Sequence, residues 1–375
     1  MVVAVNTRLL LPGKLEGIGR YMQEVLLRLT RQHPSDRFFF LFDRPFDPAF
    51  VFADNVTPVV LSPPARHPLL FVWWFEYALP KALARLQPDV FLSMDNFLSL
   101  HTPVPTVLVT HDLAPLHFPE QLTLPQRWYY QYFLERFNRR ADAILAVSHF
   151  TRTDILNRFR LPPEKVSVAG NAGRPEFQPL PVATIREIRD RYADGQPFFL
   201  YVGAIHPRKN VHRLIAAFER FKQDTGSSAR LVVAGRFAWR SEDVRSAWET
   251  SPFRSHIRFP GYVPDNELPS LTAAAFACVY VSLFEGFGVP LVEAMLSGVP
   301  VITSNTTSMP EVAGDAAILV NPEDIPEIAS AMAMLWRNDG LRTDLVARGF
   351  RQATSFRWEE TAAKVYATLE KLLPS

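Results

Sequence analysis

Two glutamates separated by seven residues, Glu285 and Glu293, bracket a glycine pair, Gly286 and Gly288, in the stretch 284–300, FEGFGVPLVEAMLSGVP. An apolar run at 276–281 leads into it and reads as a buried parallel strand. Residues 285–288 then make a tight turn, where glycine lets backbone approach a ligand with no Cβ in the way. Pro290 suits the first helical position and Gly298 the residue just past the helix end. The expected unit is strand, glycine turn and helix N-terminus, which presents N–H groups and a positive dipole end to an anion. A carboxylate beside an anion site needs a different partner, and hydroxyls are the natural one, as on the ribose of a dinucleotide. An anion flanked by hydroxyl-bearing rings describes a nucleotide sugar, with diphosphate between ribose and hexose. On the two glutamates alone, a helix start stabilised by its own acidic residues is an equal reading.

Other residues shift that balance. Arg208 and Lys209 lie in YVGAIHPRKN, residues 201–210, beyond the carboxyl end of an expected strand, where open α/β sheets bind ligands. Arginine meets a diphosphate as a planar fork and lysine as a point charge. Thr110-His111-Asp112 follows another strand end, and a histidine there can donate to or orient a sugar oxygen. A packed histidine partnered by Asp112 is nearly as good a reading of the same residues. Gly17-Ile18-Gly19 opens a helix and suits an anion, but it lacks the GxGxxG spacing. Gly286-x-Gly288 has Leu291 three residues on, so a nicotinamide-dependent dehydrogenase is disfavoured.

These residues need a scaffold of alternating strands and helices. Strands are expected at 2–5, 38–42, 56–61, 90–93, 106–110 and 143–147, with a helix from Ile18. A glycine- and proline-rich stretch at 170–181 reads as an interdomain linker. A second series follows at 198–202, 231–234, 257–259, 276–281, 299–303 and 317–320, then helices at 325–337, 341–355 and 358–373. The pattern is two α/β domains, each a doubly wound parallel sheet. At 375 residues, with 48% hydrophobic and 21% charged, the chain has enough material for two buried cores. A formal net charge of +2 argues against a general nucleic-acid binder. Its single cysteine, Cys278, excludes an internal disulfide, fits a reducing compartment and reads as a core residue. The N-terminal residues lack a signal-peptide run, so a cytoplasmic place is expected. The aromatic stretch 69–79, LLFVWWFEYAL, is either a surface for a membrane-borne acceptor or a helix packed on the sheet; the second is favoured, because the stretch lacks a basic face.

FEGFGVPLVEAMLSGVPVI, with its two glutamates, resembles the signature of retaining glycosyltransferases of family 4. EGIGRY, THDLAPLHFPE, ADAILAVSHFTRTDIL, YVGAIHPRKN, FPGYVPDNELPSL, SNTTSMPEVAGDAAILVNPED and SFRWEETAAKVY resemble the same family, in its order and over most of the chain. The resemblance implies a GT-B fold, two Rossmann-like domains facing across a cleft. These would be residues 1–172 plus 357–375, with a returning C-terminal helix, and residues 173–356, which hold the donor. It implies that Arg208 and Lys209 contact the donor diphosphate, Glu285 sugar hydroxyls and Glu293 the nucleotide ribose. Gly286, Phe287 and Gly288 would give backbone contacts, with Gly203, Val263 and Leu291 also in the donor set. His111 matches the histidine near the transferred sugar, and Gly17 and Gly19 the loop reaching the donor from the first domain. Many members carry arginine directly after the glycine matching Gly203, where this chain has Ala204.

The expectation is therefore a retaining hexosyltransferase acting from a nucleotide diphosphate sugar on a hydroxyl of a glycan or lipid-linked acceptor. GDP-mannose is the favoured donor, on GIGRY and PRKN. The alternatives are a nucleotide-sugar 2-epimerase of the same architecture and a non-catalytic nucleotide-sugar-binding subunit. No metal or other cofactor is expected, because no DxD pair of aspartates and no cysteine cluster is present. The expected location is cytoplasmic, free or peripheral at the inner membrane face.

Overall fold

The structure is a computed structural model that describes residues 1–13, 15–65 and 68–373, without the side chains of Pro68 and Leu69. Leu69 of the aromatic stretch therefore lies outside the described side chains. The chain divides into two compact units, Met1–Asn171 with Arg357–Ser375, and Ala172–Phe356.

Among the described residues, the first unit holds a seven-stranded, all-parallel sheet. Its strands are β1 (Val2–Asn6), β2 (Arg37–Phe42), β3 (Val56–Val60), β4 (Val90–Ser93), β5 (Thr106–Thr110), β6 (Ala143–Ala146) and β7 (Val166–Val168). Their order is β3-β2-β1-β4-β5-β6-β7. Helices cover both faces, so the strands read as continuous apolar runs: Val3, Ala4, Val5, Phe91, Leu92, Val107, Leu108 and Val109 have no exposed surface. Helix Gly17–Gln32 buries Tyr21, Met22, Val25, Leu26 and Leu29 along one face, at the spacing its sequence shows. Strand β7 was not expected, since three residues with an exposed centre leave no apolar run to find.

The second unit repeats the design with β8 (Phe198–Val202), β9 (Arg230–Ala234), β10 (Ile257–Gly261), β11 (Ala277–Tyr280), β12 (Val301–Ser304) and β13 (Ala317–Val320), ordered β10-β9-β8-β11-β12-β13. Cys278 on β11 is a buried core residue, and burial, with Glu293 nearby, pushes its thiol up to about 12. The last helix, Trp358–Glu370, belongs to the first unit. Trp358 meets Tyr21 edge-on at 5.7 Å, Tyr366 stacks on His33 at 3.3 Å, and the Tyr366 hydroxyl donates to Asp36 at 2.8 Å. Among the described residues no helix is long and apolar enough to cross a membrane.

The strand order reverses between β1 and β4 in one unit and between β8 and β11 in the other. Crossover helices diverge at such points, leaving a crevice beyond the carboxyl ends of the two strands. Beyond β8, two glycines let two loops meet: a Cβ on Gly235 (φ +156°) would lie 1.8 Å from the carbonyl oxygen of Gly203 (φ +147°). Gly235→Ala is expected to lower unfolding stability by about 3 kcal/mol. Gly17→Ala, whose Cβ would meet nothing within 4 Å, is expected to lower it not at all. Urea unfolding of the two variants measures the contrast.

Candidate functional site

The crevice beyond β8 and β11 contains the sequence's paired cations and its first glutamate. After β8 the chain turns through a short 3-10 turn, Pro207–Lys209, and Asn210 ends it in the left-handed conformation (φ +61°). The Asn210 amide donates to the carbonyls of Val281 (2.9 Å) and Pro322 (2.6 Å), and Leu283 N–H donates to Arg208 O at 2.9 Å. The Arg208–Lys209 turn is thus fastened to the loop that carries Glu285.

Glu285 is 8% exposed. Its Oε1 accepts from Lys209 Nζ at 2.6 Å, Ser282 Oγ at 2.6 Å and the Tyr280 hydroxyl at 3.2 Å, while Arg208 stands 3.5 Å from Oε2. Lys209 Nζ also donates to the Tyr280 hydroxyl at 2.5 Å, and Arg208 to the carbonyl of Phe284. Burial alone would raise the Glu285 pKa. The Lys209 and Arg208 charges, with the Lys209 and Ser282 hydrogen bonds, outweigh it and hold the carboxyl at about 2. Two cations against one carboxylate leave an excess of one positive charge, fixed in place and suited to an anion.

The turn after Glu285 is held from one side. Ser308 Oγ lies 2.9 Å from the Glu285 carbonyl and 3.0 Å from that of Phe287, so Gly286 sits between two anchored carbonyls. Gly288 (φ +102°) caps helix Val289–Leu296, and a Cβ there would stand 2.4 Å from Met309 Cε. Pro290 is the second helical residue rather than the first, and Gly298 (φ +71°) follows the helix end as expected. Phe287 is buried and meets Phe356 edge-on at 5.4 Å.

Glu293 carries a partner that sequence reasoning missed. Arg174 grips it with two nitrogens, at 2.6 Å and 3.3 Å, and reaches Asp265 at 3.1 Å. Burial opposes the Arg174 charge, but the two carboxylates prevail and its pKa is raised. Arg174 lies in the stretch read as linker, where a lone arginine before proline gives no signal. His206 was missed too. It is 5% exposed and stacks on Trp239 at 4.7 Å, and burial, with Arg208 and Lys209 nearby, takes its pKa down to about 3.

Two of the expected donor residues are buried apolar side chains. Leu291 has no exposed surface, and its N–H donates to the Gly288 carbonyl at 3.0 Å. Val263, beyond β10, is 6% exposed.

The remaining candidates lie in the first unit. His111 Nε2 is 2.9 Å from the Met94 carbonyl, which only accepts, so Nε2 carries the proton and Nδ1 keeps its lone pair. Burial lowers the ring's pKa against the Met94 carbonyl, Asp112 and Asp95, which raise it. A neutral His111 therefore gives its one N–H to Met94 and has Nδ1 left as an acceptor. Asp112, the partner considered for it, accepts from Ala114 N–H at 2.9 Å. Tyr21 meets the His111 ring edge-on at 5.0 Å, which joins it to the helix that Gly17 opens. A Cβ on Gly19 would lie 2.6 Å from the Leu9 carbonyl, so Gly19 serves close packing, while Gly17 borders open space. Beyond β1 and β4, Asp95 accepts from Asn6 (2.9 Å) and Arg8 (2.7 Å).

Comparison with known proteins defines the class. The model described as "Glycosyl transferases group 1" matches residues 185–352, and "Glycosyltransferase Family 4" matches residues 15–175. The chain is 31% identical over 356 residues to the O-antigen chain mannosyltransferase B of Escherichia coli, covering 92% of this chain and 93% of the relative. It is 30% identical over 311 residues to the serotype-specific mannosyltransferase WbdA of E. coli, covering 78% of this chain and 38% of the relative. The fold is similar to sucrose-phosphate synthase from Thermosynechococcus elongatus, with a TM-score of 0.80 at 18% identity, covering 99% and 98% of the two chains. Two Rossmann-like parallel sheets of this topology are those of a GT-B glycosyltransferase. The chain belongs to glycosyltransferase family 4.

A carboxyl held at about 2 instead of 4.5 contributes about 3 kcal/mol of stability at neutral pH. That contribution is complete above pH 4.5 and is lost as pH falls through about 2. Glu285→Gln is expected to unfold at lower denaturant than the parent at pH 7, with the gap closing progressively below pH 4.5. Parallel pH-dependent unfolding curves for the two proteins would exclude it.

Proposed function

We propose that the protein transfers a mannosyl residue from GDP-mannose, with retention and without a metal ion, to a hydroxyl of a glycan or lipid-linked acceptor. The observation that carries this reading is the net-positive Arg208–Lys209–Glu285 cluster at the strand reversal of the second unit. The choice of mannose rests on relatives named as mannosyltransferases.

In this reading Lys209 and Arg208 meet the diphosphate, and the N-terminus of helix Val289–Leu296 adds its dipole. Glu285 accepts from hexose hydroxyls, Glu293 accepts from the ribose with its carboxylate aimed by Arg174, and Nδ1 of neutral His111 accepts from a further hydroxyl. The bond from sugar C1 to the phosphate oxygen breaks, and its electron pair goes to the diphosphate. The acceptor oxygen bonds to C1 on the same face, and its proton passes to the departing phosphate oxygen. Fixed cations that meet the growing charge cost no reorganisation during the reaction. The Arg8 guanidinium already neutralises Asp95, which argues against that carboxylate as a cation ligand.

Three measurements test this. Thermal-shift screening against GDP, UDP, ADP and their sugars is expected to show the largest rise with GDP and GDP-mannose; a larger rise with another nucleotide removes the donor assignment. Lys209→Ala is expected to lower kcat about 100- to 1,000-fold, whereas excess EDTA leaves the rate near full. Loss of activity in EDTA, restored by magnesium or manganese, overturns the account of the leaving group. In calorimetry, Glu293→Ala is expected to weaken GDP itself and Glu285→Ala to spare it; equal losses refute the division of ribose and sugar between them.

A further inference from the structure

Among the described residues, twelve large apolar side chains stand exposed, and six of them lie on two stretches of the first unit, residues 68–86 and helix Leu124–Arg140. The two are neighbours, with Phe71 and Tyr129 edge-on at 5.6 Å. In the first, a π-turn at Trp74–Ala78 precedes Pro80, whose ring disfavours a regular turn before it. Trp74 and Phe75 enter the core as expected, yet Leu70 (38%), Trp73 (42%) and Tyr77 (66%) face outward.

On helix Leu124–Arg140, Leu124 (80% exposed), Trp128 (63%), Tyr132 (40%) and Arg136 recur every four residues and so form one outward stripe. Trp128 and Tyr132 stack at 5.3 Å with 9° between planes, and the Arg136 guanidinium lies 3.7 Å over Tyr132. This helix carries Arg127, Arg136, Arg139 and Arg140 against Glu135, four minus one, an excess of +3, with Arg140 3.4 Å from Asp142 just past the helix end. The basic face missing from residues 69–79 is supplied by the neighbouring helix.

Indole and phenol rings carry an apolar body and a polar tip, and arginine extends an apolar stem under a charge; such side chains settle at the level of lipid headgroups. An exposed stripe of this kind, with surplus positive charge, fits a flat anionic surface. We infer that this aromatic–arginine face docks the protein on an anionic lipid bilayer, rings among the headgroups and arginines against their phosphates. The inference does not depend on which sugar is moved.

The full-length protein is co-sedimented with vesicles of phosphatidylcholine alone or mixed with phosphatidylglycerol. Binding is expected to the mixed vesicles and to weaken with added salt. Leu124→Ser, Trp128→Ser and Tyr132→Ser together are expected to weaken it at least about tenfold, equivalent to 1.4 kcal/mol. Arg127→Gln with Arg136→Gln should weaken binding to the mixed vesicles and leave the weak binding to phosphatidylcholine unchanged. An unaltered melting temperature and circular dichroism spectrum show that the variants are folded. Failure of the parent to bind mixed vesicles, or equal binding by the triple variant, overturns the inference. So does a dimer in sedimentation that the triple variant converts to monomer, which would assign the face to a second copy.

Discussion

The second unit's site depends on one buried charge, the Glu285 carboxylate. Taking a carboxylate out of water costs several kcal/mol, offset only by close opposite charge and full hydrogen bonding. Lys209, Arg208, Ser282 and Tyr280 supply both. The same contacts fasten the loop after β8 to the loop after β11, so the position of the cations is itself a product of the carboxylate. Truncating Glu285 would leave Lys209 beside Tyr280 with its main counter-charge gone. A change in this group therefore acts on the construction of the site, while its effects on a bound anion, a stronger field against less ordered cations, oppose each other.

The two sheets share a topology but present different electrostatics at the reversal of strand order. In the first unit Arg8 and Asp95 cancel, and Phe71, Phe75 and Phe97 lie 4.8, 5.5 and 5.1 Å from the Arg8 guanidinium. Burial lowers the His111 pKa beside them, so the polar groups there carry no surplus positive charge. In the second unit two cations share one carboxylate. On charge alone, the second crevice favours an anion more than the first does.

Most of the strands were legible because parallel strands buried on both faces leave uninterrupted apolar runs, and 106–110, 198–202 and 317–320 match to the residue. Strand β7 was not, because an edge strand of three residues has no such run. The pairing of Arg208 and Lys209 with the Glu285 turn followed from strand-end positions. What remained hidden were contacts made across sequence by single side chains: Arg174 on Glu293, 119 residues away, and His206 on Trp239. The outward face of residues 68–86 was concealed by composition, because Trp73 and Trp74 are identical in type and differ only in which side of the helix they occupy.

Pairing a cation before its ligand arrives has two opposed effects. Glu285 cancels half the positive charge of Arg208 and Lys209, which weakens the field an incoming anion meets. Without it, two like charges would repel, and the long side chains would spread over many rotamers, each costing up to about 2 kcal/mol to order on binding. With it, both cations are already in place, and what is given up in field strength is regained as preorganisation. The low pKa of Glu285 keeps this arrangement intact throughout the physiological pH range. Ser282 and Tyr280 complete it by hydrogen-bonding the carboxylate from within the protein, which holds Oε1 still and leaves Oε2 with the longer Arg208 contact. That oxygen, the less tightly held of the two, is the one best able to exchange a protein partner for a hydroxyl.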